Sequence, residues 1–229
     1  MSFNIKQLSQ DLWQIIEPWF SEHANLFLLR GTKKTLLIDT GLGVESLSDF
    51  LFERQLSPDV VVTTHCHFDH CGGLAQFSPE TIYLTDRQAK NISDSTLWGL
   101  NYLNQEDVNI SHRQALQNYS SKPPASWQQL GHNIDLGDYQ LSVISAPGHT
   151  DDSIILHESS RGWVFTGDTF YEGKLYLDLP NTNTTNWIKS LEIISNLETT
   201  IIYPGHNNLV EKSKSIDLLE VACSQLKAD

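Results

Sequence analysis

The sequence predicts an α/β protein, a sandwich of two β-sheets packed face to face with helices outside. Two observations carry that prediction. Short apolar, β-branched runs recur in the order strands, helix, strands, a polar stretch, strands, helix, strand, helix, which suits sheets covered by helical layers. No low-complexity tract or linker divides the chain, so residues 1–229 read as one domain, with a helical and loop insert at about 86–130.

The elements follow in order. QDLWQII at 10–16, ANLFLL at 24–29 and KTLLIDTG at 34–41 read as strands, and Arg30-Gly31-Thr32 offers the turn of a hairpin between the last two. GVESLSDFLFERQ at 43–55 spaces Val44, Leu47, Phe50 and Leu51 as a helix does. DVVVTT at 59–64 is a continuous apolar strand of the kind buried on both faces, and TIYLT at 81–85 is another strand. The polar stretch 86–130, with Trp98, Tyr102, Tyr119, Trp127 and the Pro123-Pro124 break, reads as short helices and loops. Strands resume at 139–146, 153–158, 162–168 and 199–205. Residues 183–197 form an amphipathic pattern through Trp187, Leu191 and Ile194, with Asn or Thr to cap it, and 213–227 reads as a C-terminal helix.

Composition narrows the function. With 229 residues and 39% hydrophobic composition, the chain can bury a sizeable core. Its formal net charge of −13 argues against general affinity for nucleic acid or anionic membrane, which bind through lysine and arginine. No run approaches the roughly 18 to 20 apolar residues of a membrane span. The start lacks a signal-peptide pattern, and the odd count of 3 cysteines suits a reducing compartment, so a cytoplasmic location is expected.

The chemistry is concentrated at strand ends. VVTTHCHFDHCGG, from Val61 to Gly73, places His65, His67, Asp69 and His70 at a strand-to-turn boundary. Asp39 in DTG, His149 in PGH, Asp168 in TGD and His206 in PGH likewise follow apolar runs at glycine turns. Unpaired in a core, such groups cost several kcal/mol each. One zinc takes about four ligands, so five histidines and Asp69 with Asp168 suit two divalent ions. In an extended segment His65 and His67 share a face and Asp69 keeps their parity; a turn near Phe68 would swing His70 toward a second ion. Two such cations outweigh two aspartates and a hydroxide, leaving the positive field an electrophile-activating site needs. His23, His112, His132 and His157 read as structural. Cys66 should face away from the histidines, and Cys71 reads as a small packing residue.

Together these motifs resemble the metallo-β-lactamase fold superfamily, over residues 39 to 206. The resemblance implies a four-layer αβ/βα sandwich of two mixed sheets with a two-metal site at its open edge. It implies that His65, His67 and His149 hold one ion, Asp69, His70 and His206 the other, that Asp168 bridges them, and that Asp39 orients a ligand histidine. Aspartate at 168 resembles the glyoxalase II, lactonase and phosphodiesterase branches. ANLFLLRGTKKTLLIDTGLGVESL, THCHFDHCGGLAQF, SAPGHTDDSIILHE and FTGDTFYEG resemble a branch of acyl-CoA thioesterases, weakest in the 86–130 insert.

The expected activity is hydrolysis of a small acyl thioester by a hydroxide bridging two divalent ions, zinc first, with iron or manganese as alternatives. The departing thiolate, with a pKa of about 8.5, needs little acid catalysis. Asp69 would hold the hydroxide's proton. Tyr171, at a spacing that lactonase relatives share, is expected to serve the oxyanion or orient the substrate. Trp19, Phe20, Trp98, Tyr102, Trp127, Tyr176, Leu177 and Leu179 are candidate pocket walls. A lactonase or glyoxalase II-like ester hydrolase, an iron-dependent persulfide dioxygenase and a metal-binding protein without turnover are the alternatives.

Overall fold

The computed structural model describes residues 3–17, 24–94, 122–179 and 181–227. Its contacts divide into two compact units, Met1–Leu130 with Leu136–Asp138, and Gly131–Asp135 with Tyr139–Asp229. Each contains one mixed sheet, of seven and six strands respectively.

In the first unit the strands are β1 (Asn4–Gln7), β2 (Leu12–Ile16), β3 (Asn25–Arg30), β4 (Thr35–Ile38), β5 (Val60–Val62), β6 (Ile82–Leu84) and β7 (Gln128–Gln129). They lie side by side in chain order. The first four pair antiparallel, and β3 and β4 form the expected hairpin. From β4 onward the pairing is parallel. Leu26, Leu28, Leu37, Val61, Ile82 and Leu84 pack with Leu47, Phe50 and Leu51 of α1 (Leu47–Phe52) in one core. Full burial of each such side chain favours the fold by about 1.5–3 kcal/mol.

Two differences from the sequence reading have local causes. The strand begun at 34 stops at Ile38, because Asp39 takes a left-handed φ of 63°. The helix expected over 43–55 shrinks to 47–52: Gly43 sits at φ 77°, and Ser46 caps the helix by accepting from the Asp49 amide. Strand β1 escaped the sequence reading because it is an edge strand with one apolar residue, Ile5. Residues 86–94 are helical and β7 extends the sheet, so both described ends of the insert are structured; Trp98, Tyr102 and Tyr119 lie outside the described residues.

In the second unit the strands are β8 (Asn133–Asp135), β9 (Gln140–Ser145), β10 (Ile154–Glu158), β11 (Trp163–Gly167), β12 (Ile201–Pro204) and β13 (Val210–Glu211). Their order is β13-β12-β11-β10-β9-β8. Only β11 and β12 pair parallel, with a register shift between Phe165 and Gly167. Helix α3 (Thr184–Asn196) starts where the Asn183 side chain accepts from the Asn186 amide at 2.9 Å. Its Trp187, Leu191 and Ile194 pack with Ile155, Val164 and Ile202, and with Leu219, Ala222 and Leu226 of the C-terminal helix Lys212–Lys227 (α4). Among the described residues, no helix is long and apolar enough to cross a membrane.

Candidate metal centre

In the first unit the donor-bearing segment leaves β5, bends at Thr64 and His65, and enters α2 (Phe68–Cys71) through His67, which is extended at the N-cap position. The His65 and His67 rings lie together, centroids 4.7 Å apart. The turn begins at Phe68, where the sequence placed it. It brings the His70 ring to 4.2 Å from that of His65 and its Nε2 to 3.5 Å from Asp69 Oδ2. Asp69 is therefore placed by helical geometry rather than by strand parity. His65, Asp69 and His70 are buried and His67 is half-buried.

Asp39 governs this half. Its Oδ1 accepts from the Thr64 amide (2.6 Å) and the Thr63 hydroxyl (3.2 Å). Its Oδ2 accepts from the Thr64 hydroxyl (2.9 Å) and from His70 Nδ1 (2.8 Å). A carboxylate only accepts, so His70 carries its proton on Nδ1 and presents the Nε2 lone pair. The Thr64 hydroxyl spends its one proton on Asp39, so its oxygen accepts from His65 Nδ1 at 3.2 Å. That leaves His65 Nε2 as a lone-pair donor too. Asp39 thus orients two histidines, one directly and one through Thr64.

Residues that the sequence reading did not single out complete the support. Thr63 and Thr64 precede the histidines, and paired hydroxyls beside candidate donors are a usable signal. Gln88 is fully buried and donates to the Thr63 carbonyl at 2.8 Å, behind the segment; a lone polar residue in a polar stretch gave no hint of it. Gly72 is required because a Cβ there would stand 2.2 Å from the Leu42 carbonyl oxygen. Cys66 and Cys71 lie in the hydrophobic core, as expected.

In the second unit, parallel β11 and β12 end beside each other and launch Asp168 and His206 from the same end of the sheet. His206 Nε2 and His149 Nε2 stand 3.3 and 3.4 Å from Asp168 Oδ2. Trp187 organises both turns. A Cβ on Gly148 would fall 2.2 Å from Trp187 Cα, so PGH passes the helix only as glycine. The indole ring meets the His149 ring edge-on at 5.1 Å, and its Nε1 donates to the Thr169 carbonyl at 2.7 Å. Tyr171 is buried, donates its hydroxyl proton to the Lys174 carbonyl (3.0 Å), and sets its ring against His206 at 5.8 Å.

The other candidates fall in different places. His157 is buried on β10 with Nε2 at 3.4 Å from the Glu198 carbonyl, a structural position, and His132 is exposed in a loop. Trp127 and Leu177 pack against the cores of their own units, Leu179 is half-buried and Tyr176 is exposed. Trp19, Phe20, His23 and His112 lie outside the described residues.

The donor set fits divalent metal. Imidazole nitrogens and carboxylate oxygens are gathered within each unit, His65, His67 and His70 beside Asp69 and His149 and His206 beside Asp168, the nitrogen and oxygen donor types that divalent ions take. The described residues include clusters of histidine and aspartate able to hold an ion.

A family model for the metallo-beta-lactamase superfamily matches residues 21–206. Acyl-coenzyme A thioesterase MBLAC2 of Gallus gallus is 31% identical over 226 residues, covering 90% of this chain and 81% of that protein. Among solved structures, a metallo-beta-lactamase from Pontibacter korlensis superposes with a TM-score of 0.71 at 18% identity, over 99% of this chain and 100% of that one. TTHA1623 in a di-iron-bound form gives 0.65 at 23% identity, over 85% and 93%. The two mixed sheets, the ordered motifs from Asp39 to His206 and a match spanning most of the sequence place this chain in the metallo-β-lactamase superfamily.

Proposed function

We propose that this chain is a metal-dependent hydrolase of small acyl thioesters, using His65, His67 and His149 for one ion, Asp69, His70 and His206 for a second, and Asp168 between them. The crowding of donors within each unit carries this reading: the rings of His65, His67 and His70 gather beside Asp69 in the first, and His149 and His206 flank Asp168 in the second. In this reading residues 1–229 act as one catalytic domain. The thioester class is supported by the thioesterase relative at 31% identity. Nitrogen and oxygen donors suit zinc; the di-iron neighbour makes iron the alternative that metal analysis must test.

When bound, the ions supply Lewis acidity and lower the pKa of water toward neutrality. The chain's own residues do the rest. Asp39 holds the His70 proton on Nδ1, and through Thr64 that of His65, so both rings present Nε2. Asp69 Oδ2, beside His70 Nε2, is the carboxylate placed to take a proton from the attacking water. Tyr171 gives its own proton to Lys174 and acts through its ring, fixing the plane of His206. A thiolate leaves with a pKa of about 8.5, so no further acid is required.

The deciding experiment offers acyl-CoA, homoserine lactone and S-lactoylglutathione to protein of measured metal content. Acyl-CoA turnover rising with metal occupancy supports the proposal. Turnover of the lactone alone would shift it to the ester branch, and inactivity on all three at full occupancy would remove it.

A further inference from the structure

Glu17, at the end of β2, is a carboxylate that the proposed reaction does not use. It is 1% exposed. Its Oε2 accepts from the Leu42 amide at 2.8 Å and its Oε1 from the Glu45 amide at 3.3 Å, and the Val44 amide also donates to it. The segment it grips takes three left-handed conformations, at Asp39 (φ 63°), Gly41 (φ 71°) and Gly43 (φ 77°). Left-handed backbone disfavours an L-residue by about 1–2 kcal/mol, so Asp39 needs outside support to stay there. Gly41 is kept side-chain-free by Glu17 itself: a Cβ would stand 2.8 Å from Oε2.

The other end of the same segment holds α2. The Thr40 amide and hydroxyl donate to the His70 carbonyl at 2.7 and 3.1 Å, and Asp39 Oδ2 accepts from His70 Nδ1 at 2.8 Å. Glu17 is therefore connected to His70 through one short, irregular piece of backbone. Burial pushes the Glu17 carboxyl up to about 7, with the like charge of Glu45 adding to the rise and the three amides opposing it. A buried carboxylate is an unfavourable filler. What it offers here is acceptors for amides that would otherwise lose their water at about 1–3 kcal/mol apiece.

We infer that Glu17 is a positioning residue, holding segment 39–45 in the one conformation in which Asp39 fixes the proton and orientation of His70. This rests on the reading of His70 as a metal ligand. Glutamine at 17 keeps the length but sets an NH2 donor against a backbone donor, so one grip is lost.

The test compares Glu17→Gln with Leu51→Ala, a control that opens the core of the same unit and removes no hydrogen bond of Glu17. Two quantities are read. One is the NMR signal of the His70 Nδ1 proton in metal-free protein, shifted downfield by its bond to a carboxylate. The other is zinc affinity from chelator competition. Glu17→Gln is expected to lose or broaden the Nδ1 signal and to bind zinc about 10-fold more weakly, while Leu51→Ala keeps both. Wild-type signal and affinity in Glu17→Gln would overturn the inference, as would equal losses in Leu51→Ala. Loss of the signal with unchanged zinc affinity would support the positioning contact and count instead against His70 as a ligand, separating the two readings.

Discussion

Asp39→Asn tests how the histidines are oriented. The amide keeps the side-chain volume but replaces one acceptor by a donor. Placed on the Oδ1 side, the NH2 would face the Thr64 amide, which cannot reverse its role, at a site where the carboxylate now accepts at 2.6 Å. Placed on the Oδ2 side, it meets the Thr64 hydroxyl and His70 Nδ1, both of which can become acceptors. The second arrangement is cheaper for the fold. It exchanges charge-assisted bonds for neutral ones, a loss of about 1–3 kcal/mol. Its consequence for the site is larger: His70 must move its proton to Nε2, the nitrogen it is proposed to offer a metal. Metal affinity should fall about 10- to 100-fold. Urea unfolding of metal-stripped protein measures the first quantity and chelator competition the second. Wild-type metal affinity in Asp39→Asn would refute the tautomer assignment, whatever the stability.

Four further outcomes are expected. Trp187→Ala should destabilise the protein by about 3–5 kcal/mol, because the fully buried indole packs α3 and its Nε1 holds the Thr169 carbonyl; thermal or denaturant unfolding checks this. Asp168→Ala should release at least one ion, seen by metal analysis, and abolish nearly all hydrolysis. Tyr171→Phe keeps the ring that faces His206, so turnover and metal content should stay near wild type, while the lost bond to Lys174 costs about 1 kcal/mol of stability, read by urea unfolding. The raised Glu17 pKa fixes a sign: folded near 7 and unfolded near 4.5, it contributes stability that is fully present below 4.5 and lost as pH rises through 7. The window is worth on the order of 3 kcal/mol, and Glu17→Gln should flatten it in urea titrations run from pH 4 to 8.

The fold was legible wherever apolar residues repeat with a clear period. β3, β4, β5, β10 and β11 each carry a run of at least three apolar residues, and Trp187, Leu191 and Ile194 mark one face of α3. Polar or very short pieces were not: β1 shows one apolar residue, while β7 and β13 are two residues long and defined by their partners. The candidate ligands, histidine and aspartate at glycine turns, were conspicuous because such groups are costly to bury unpaired beside apolar runs. Glu17 and Gln88 were invisible because each acts on backbone groups far along the chain, at |i−j| of 25 in both cases. Backbone amides and carbonyls leave no mark in a sequence. The hydroxyl of Tyr171 illustrates the converse: the sequence reading assigned it to the oxyanion or the substrate, whereas in the structure it donates to the Lys174 carbonyl, a commitment that depends on how the turn closes.

Gln88 has one more implication. It belongs to the helical start of the polar stretch, yet it grips the carbonyl of Thr63, two positions before His65. A chimera exchanging sequence from 86 onward would cut this tether and slacken the histidine segment along with whatever specificity it was meant to alter. A graft whose seam falls after 94 would leave the tether intact, so new substrate preferences are best sought on that side of it.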